Sequence, residues 1–405
     1  MARIGFETAR AVILVAAVAS CGGGKSSTFN GKSGASVGLS GNGSGSGSSL
    51  SSGSLSGSSS TTTLPDGAVV TGPIPDPNCP NGGNTTVSGV VYDPALQNPL
   101  YNITVFIPNQ LSDLPNLNSG ASCAACADYY PANIVAAAGT DVHGHFTITK
   151  AANGPAIPVG KNIPIVVQTG KWRMAFTLGE VTACQDNVAP DKTLRLPAKA
   201  SEGNLPDIAI STGGADSLEC LPLRIGIDSS EYVAGGGGPG HLHIFQGAGG
   251  ATMTQGTPMS PASLWDSQAD LMKNDVVLLS CEGAETTGVS TASRTNLEDY
   301  ANAGGRVFAS HFHYSWFNQN PFQGENLAKW TPGANQLNDQ TFFPGAVVTT
   351  LNSGGGAFPE GVALGEWLGV VNALDSNGLL DIWFSRHNAD VSMANTPSQP
   401  WIVLD

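Results

Sequence analysis

The sequence predicts a multidomain chain: a β-sandwich, then an α/β domain built on a helix-covered parallel sheet, both behind a disordered tether. Three observations predict it. Short alternating runs rich in Val, Ile, Thr and Phe, broken by Gly, Pro, Asn and Asp, fill roughly 85–180. Past about 213 the runs become fully apolar and are separated by helix-patterned segments. The stretch SGNGSGSGSSLSSGSLSGSSSTTT (40–63) is almost all Gly, Ser and Thr, with too few apolar groups to offset the entropy of ordering.

The front end reads as an export signal. Arg3 and Arg10 precede AVILVAAVA (11–19), a run that rises only about 14 Å in a helix against a bilayer core of ~30 Å. Such a segment is a signal peptide and not a span. Val18-Ala19-Ser20-Cys21 resembles the bacterial lipobox. That resemblance implies cleavage before Cys21, lipidation of its thiol, and a membrane partner reached through the lipid. Gly22 in place of Asp resembles the pattern of lipoproteins sent to the outer membrane, so the expected location is exported, periplasmic or cell-surface. Residues 22–84 follow as the tether, whose reach as a flexible coil is roughly 40–45 Å.

Composition narrows the function classes. Asp and Glu number 31 against 17 Lys and Arg, a formal charge of −14, and no basic run occurs. Nucleic acid is therefore not an expected partner. Charged residues are only 12 %, with 52 Gly and 26 Pro, which suits a loop-rich exported protein. Beyond Cys21 stand Cys79, Cys123, Cys126, Cys184, Cys220 and Cys281. An even number outside the cytoplasm favours disulfides, though spacing does not fix their connectivity. A Cys220–Cys281 bridge would close a loop of about sixty residues, worth roughly 4 kcal/mol. CAAC (123–126) has the spacing of a redox or zinc pair, but no second pair follows at finger spacing; a structural disulfide is the expectation.

The sandwich is placed at 85–212. TTVSGVVYDP (85–94), LYNITVFIPN (100–109), IVAAAGTDVHGHFTITK (134–150) and NIPIVVQTGKWRMAFTL (162–178) supply its strands and turns, and Leu205–Ile210 reads as a further edge strand. Alternation puts Phe146 in the core and His143 and His145 on the polar face. VSGVVYDPA…PLYNITVFIPN, TDVHGHFTI and IPIVVQTGKWR resemble the carboxypeptidase-regulatory-like family, a prealbumin-like sandwich; the cysteine-bearing insertion at 110–133 departs from it. The resemblance implies a noncatalytic adhesion or carbohydrate-associated module.

The α/β domain is placed at 213–405. LRIGID (223–228) reads as a strand, SPASLWDSQADLMKN (260–274) as a helix capped by Ser260, DVVLLS (275–280) as a buried strand, STASRTNLEDYANAGG (290–305) as a helix ending at Gly, and RVFASH (306–311) as another buried strand. Strand, helix, strand, helix, strand with apolar strands means a parallel sheet. NDVVLLSCEG with LEDYANAGGRVFASH resembles the class I glutamine-amidotransferase-like superfamily, in particular its ThuA-like branch, which implies a flavodoxin-like three-layer fold. Where relatives carry a cysteine on a sharp elbow, this chain has Ala309-Ser310-His311-Phe312, with no cysteine and no second glycine, so thiol-based glutamine hydrolysis is not expected. The whole assembly also resembles lipoproteins of predatory soil bacteria. The end, PWIVLD, reads as mid-strand, so a continuation is expected.

Ligands of doubly wound sheets sit beyond the carboxyl ends of the strands. Glu282, after one strand, and His311 and His313, after its neighbour, are the weak catalytic candidates, with Tyr314 and Trp316 as a wall. His241 and His243 form a second H-x-H pair whose imidazoles share a strand face. With His311 and His313 they would suit zinc, the one metal or cofactor these residues suggest. Cys281 reads as a disulfide partner or buried thiol. Two functions follow as expectations: a noncatalytic surface lipoprotein displaying a glycan- or protein-binding sandwich beside a degenerate amidotransferase-like domain, or an extracellular hydrolase acting on a sugar-containing substrate.

Overall fold

The computed structural model describes residues 61–63, 69–71, 79–123, 126–151, 154–253, 256–286, 288–332, 342–352, 355–383, 388–391 and 398–404. The segment expected as a signal, Cys21 and most of the expected tether lie outside them. Within the region expected as tether, β1 (Thr61–Thr63) pairs antiparallel with β2 (Val69–Thr71). Its last residues are fastened down: Cys79 forms a disulfide with Cys184. Linking residues 105 apart removes chain entropy worth roughly 4–5 kcal/mol. Among the described residues no helix is long and apolar enough to cross a membrane.

Two four-stranded sheets come first. In one, β3 (Thr86–Tyr92) pairs antiparallel with β6 (His145–Ile148) on one side, and parallel with β9 (Asp186–Val188) and β10 (Leu194–Arg195) on the other. In the second the order is β5 (Ile134–Gly139), β4 (Thr104–Pro108), β7 (Gly160–Thr169), β8 (Trp172–Val181). Their inward residues form one cluster, with Val87, Val91, Phe146 and Ile148 from the first sheet and Val105, Ile107, Ile165 and Val167 from the second. The exposed–buried alternation of β6 puts Phe146 inside and His145 outside, as the period-two pattern predicts. Strand β4 is buried on both faces. The 110–133 insertion supplies the cover: Tyr130 meets Phe106 edge-on at 5.6 Å, and Gln168 donates to the Tyr129 carbonyl.

The five-stranded parallel sheet has the order β12 (Tyr232–Ala234), β13 (Leu242–Phe245), β11 (Ile208–Ser211), β14 (Val276–Leu279), β15 (Arg306–Ala309). This corrects one expectation. Ile208–Ser211 is no edge strand of the sandwich; it stands at the centre of the parallel sheet, hydrogen-bonded to β13 and β14. Its Ile-Ala-Ile core has no polar alternation, as a strand covered on both faces requires. A second correction concerns LRIGID, whose first two residues belong to helix α1 (Cys220–Arg224), with Ile225 as its C-cap, rather than to a strand. Pro222 lies in the first turn, where its missing N–H costs nothing.

The expected helix at 260–274 is two single turns, α2 (Ala262–Trp265) and α3 (Gln268–Leu271), separated where the Ser267 hydroxyl caps the second. Helix α4 (Thr291–Asn302) is capped by the Ser290 hydroxyl, which accepts the Ser293 N–H, and Gly304 follows its end with a left-handed φ of 96°. With α5 (Tyr314–Phe317), these cover one face of the sheet, burying Leu264, Trp265, Leu271, Leu297, Tyr300 and Trp316 against Ala209, Val277 and Leu279. Among the described residues the other face carries no matching helical layer, which corrects the three-layer expectation: the sandwich takes that layer's place. Ile210, Leu242 and Ile244 join the sandwich cluster directly. The insertion ties the two parts at their edge, where Ala121 N–H donates to the Met272 carbonyl at 3.0 Å.

Past 328, β16 (Lys329–Trp330) pairs with β19 (Ala389–Asp390). Strands β17 (Phe342–Val347), β18 (Leu380–Trp383) and β20 (Ile402–Leu404) form an antiparallel sheet, against which α6 (Pro359–Val370) packs Leu364, Trp367 and Leu368. The Trp367 indole N–H donates to the Pro99 carbonyl at 2.8 Å, fixing this unit to the sandwich.

Candidate functional site

The chain leaves β11 for the edge strand β12, returns to β13 beside β11, and then crosses to β14 and β15 on the opposite side. The order therefore reverses between β11 and β14, and loops leaving their carboxyl ends diverge and open a crevice. Asp216 comes from the loop after β11, Cys281 stands two residues beyond β14, and His311 stands two residues beyond β15. One donor atom from each lies within 4.8 Å of the others.

The contacts are specific. His311 Nδ1 is 3.2 Å from Asp216 Oδ2. The Ser310 hydroxyl donates to the same carboxylate oxygen at 2.5 Å and accepts the Cys281 N–H at 3.0 Å. The Ala215 and Asp216 N–H groups donate to the Cys281 carbonyl at 3.0 and 3.2 Å. Gly213 permits this approach, since a Cβ there would stand 2.2 Å from that carbonyl oxygen. Gly283 N–H points at Cys281 Sγ from 3.4 Å. His311 has a left-handed φ of 41°, a conformation costly for a non-glycine residue and commonly found at functional sites.

The electrostatics follow from these contacts. The hydrogen bond to Asp216, and then that to Cys281, push the His311 pKa up to about 9. Burial raises the Cys281 thiol, but hydrogen bonds from His311 and the Phe312 and Gly283 backbones outweigh it and hold the thiol below its ordinary range. Burial likewise raises Asp216, and its bonds to His311 and Ser310 outweigh that and lower it. The arrangement thus favours a thiolate beside an imidazolium oriented by a carboxylate. Asp216 and His311 remain a fifth and a quarter exposed, while Cys281 is fully buried.

The other sequence candidates fall elsewhere. Glu282 turns from His311 toward the loop after β13, where Oε1 accepts the Ala248 N–H at 3.2 Å. His313 is 1 % exposed, with Nδ1 3.3 Å from the Ser310 carbonyl; burial lowers its pKa to about 4, so it is a neutral imidazole. Trp316 is a core residue, edge-on to Trp265 at 5.0 Å, and the Tyr314 hydroxyl donates to Glu285. His241 and His243 do not join His311. They sit toward the amino end of β13, where His241 Nδ1 is 2.9 Å from Glu231 and His243 Nε2 is 3.3 Å from Asp207. Parallel strands put the start of β13 and the end of β15 on opposite edges, so the four imidazoles cannot share one metal.

The Cys220–Cys281 bridge is not formed; both are free thiols, as is Cys123, whose Sγ donates to the Asn302 carbonyl. The Cys126 side chain lies outside the described ones. Sequence reasoning missed Asp216, and nothing in TGGADSLE (212–219) marks it apart from a small-residue turn after an apolar strand. Compared with known proteins, the chain matches no protein-family model and no curated sequence.

Proposed function

We propose that the chain is an exported, lipid-anchored hydrolase in which Cys281 is the nucleophile of an acyl-transfer reaction. The convergence of Asp216, His311 and Cys281 on the crevice where the strand order reverses carries this reading. In it, the parallel sheet is a divergent relative of the ThuA-like branch whose second helical layer is replaced by the sandwich, and the prealbumin-like sandwich holds a glycan or surface partner nearby. The place where relatives carry their sulfur is held by the base, His311, and the sulfur stands one strand away.

The Cys281 thiolate attacks an amide or ester carbonyl, the C–S bond forms and the carbonyl electrons move to oxygen. Collapse breaks the bond to the leaving group, which takes a proton from His311. His311 then removes a proton from water, which attacks the thioester and frees the acid and the thiolate. Asp216 fixes the imidazole through Nδ1. Because Cys281 is fully buried, the groups that cover it must move for substrate to reach Sγ. Turnover of a panel of activated acyl esters and peptidyl amides by the full chain, falling at least ~10²-fold in Cys281→Ser, is the expected result. Equal turnover by that variant would remove the nucleophile.

The full burial of Cys281 favours a second reading, a noncatalytic surface lipoprotein whose sandwich binds glycan or protein. Under it the whole panel stays untouched, Cys281 resists alkylation in the native chain, and a glycan array shows saturable binding.

A further inference from the structure

We propose that Asp216, Cys281 and His311 form a site for one zinc-class divalent cation, with three protein ligands and a fourth position open to solvent. The inference does not depend on the hydrolase reading. The donor set comprises a carboxylate oxygen, an imidazole nitrogen and a sulfur, which together suit zinc or cobalt(II) better than a hard cation. Bonds of about 2.0–2.2 Å to nitrogen and oxygen at a tetrahedral angle put those two atoms roughly 3.3 Å apart. The His311 Nδ1 to Asp216 Oδ2 separation is 3.2 Å, and all three donor atoms fall within 4.8 Å.

The surroundings match a metal centre in two further respects. Cys281 is fully buried, which suits a sulfur that ligates an ion and ill suits one that must meet a bulky substrate unaided. Asp216 and His311 are partly exposed, so the ion would enter from their side and keep a water there. The Ser310 hydroxyl, 2.5 Å from Asp216 Oδ2 and 3.0 Å from the Cys281 N–H, would orient the carboxylate ligand. On binding, Cys281 ligates as the thiolate and His311 as the neutral imidazole, so the proton the pair shares is released to solvent.

The test uses the full chain, stripped with chelator and titrated with cobalt(II) chloride, then with zinc chloride. One cobalt per chain with an intense near-ultraviolet sulfur-to-metal band is expected. Cys281→Ser should abolish that band, and Asp216→Asn and His311→Ala should each weaken binding by more than the ~10–100-fold that loss of a ligand's hydrogen-bond partner costs. His241→Ala, at the far edge of the sheet, should change nothing. Zinc should also protect Cys281 from iodoacetamide, read by mass spectrometry, while Cys123 and Cys220 stay reactive as internal controls within the same folded molecule. No sulfur band in the parent chain, or a band that survives Cys281→Ser, overturns the site. Turnover that vanishes in Cys281→Ser without any cobalt band would leave the hydrolase reading standing and remove the metal site alone.

Discussion

The two edges of the five-stranded sheet use the same residue types to opposite ends. At the amino edge, Asp275 meets Lys171 of the sandwich at 2.6 Å, both nearly buried, and accepts the Asp207 N–H at 2.8 Å; Asp207 in turn holds His243. Burial still leaves the Asp275 pKa above the usual carboxylate range, with Lys171 opposing the shift. Each of these charges has its partner, and the group clamps sandwich to sheet. At the carboxyl edge, Asp216, Ser310, His311 and Cys281 are also hydrogen-bonded to one another, but two of them remain open to solvent and one sits in a strained backbone conformation. An acid and an imidazole therefore do not make a site; the crevice does.

The contrast can be broken most strongly at the amino edge. Lys171→Ala leaves a buried carboxylate unpaired and should cost about 3–5 kcal/mol in denaturant unfolding; a loss below ~1 kcal/mol would mean the clamp is only a surface contact. At the carboxyl edge the expected effect is on pH dependence. The His311 pKa is raised to about 9 in the folded chain from an ordinary 6.5. Its contribution is thus fully present below pH 6.5 and disappears as pH rises through about 9, an effect on the order of 2 kcal/mol. Urea midpoints across pH 6–10 should show that decline in the parent chain and lack it in His311→Ala.

A smaller effect concerns reactivity. His311→Ala should slow Cys281 alkylation at pH 7 by roughly tenfold, about 1.4 kcal/mol, with the Cys220 rate unchanged; equal rates would detach the imidazole from the sulfur. Smallest of all, Glu282→Gln should shift stability by less than ~0.5 kcal/mol and leave Cys281 reactivity alone. A large effect there would return Glu282 to the site.

Much of the local structure was legible. The alternation of His145–Ile148, the helix Thr291–Asn302, and the apolar strands Val276–Leu279 and Arg306–Ala309 appear where their residues predict them. Three features were not. Ile208–Ser211 looks like any short β run, and only its pairing with β13 and β14 makes it central. The H-x-H at 241–243 and that at 311–313 look equivalent as text. Strand direction puts them at opposite edges, and a tight turn after β15 sends His311 to the crevice and His313 into the core. Cys281 has five possible cysteine partners by spacing alone, and its actual neighbours come from loops 65 and 30 residues away in the chain.

What the sequence by itself determined is periodic or compositional: a Gly/Ser tract that cannot bury enough to fold as a core, strands with period two, apolar runs alternating with helices, and an acidic balance without a basic patch. Those properties are summed over neighbours along the chain, so they can be read from it. Tertiary structure alone decided which strand stands in the middle, which cysteine is bridged, and which acid meets which imidazole. Those are contacts between residues far apart in sequence, fixed by packing geometry and by where the strand order turns back on itself.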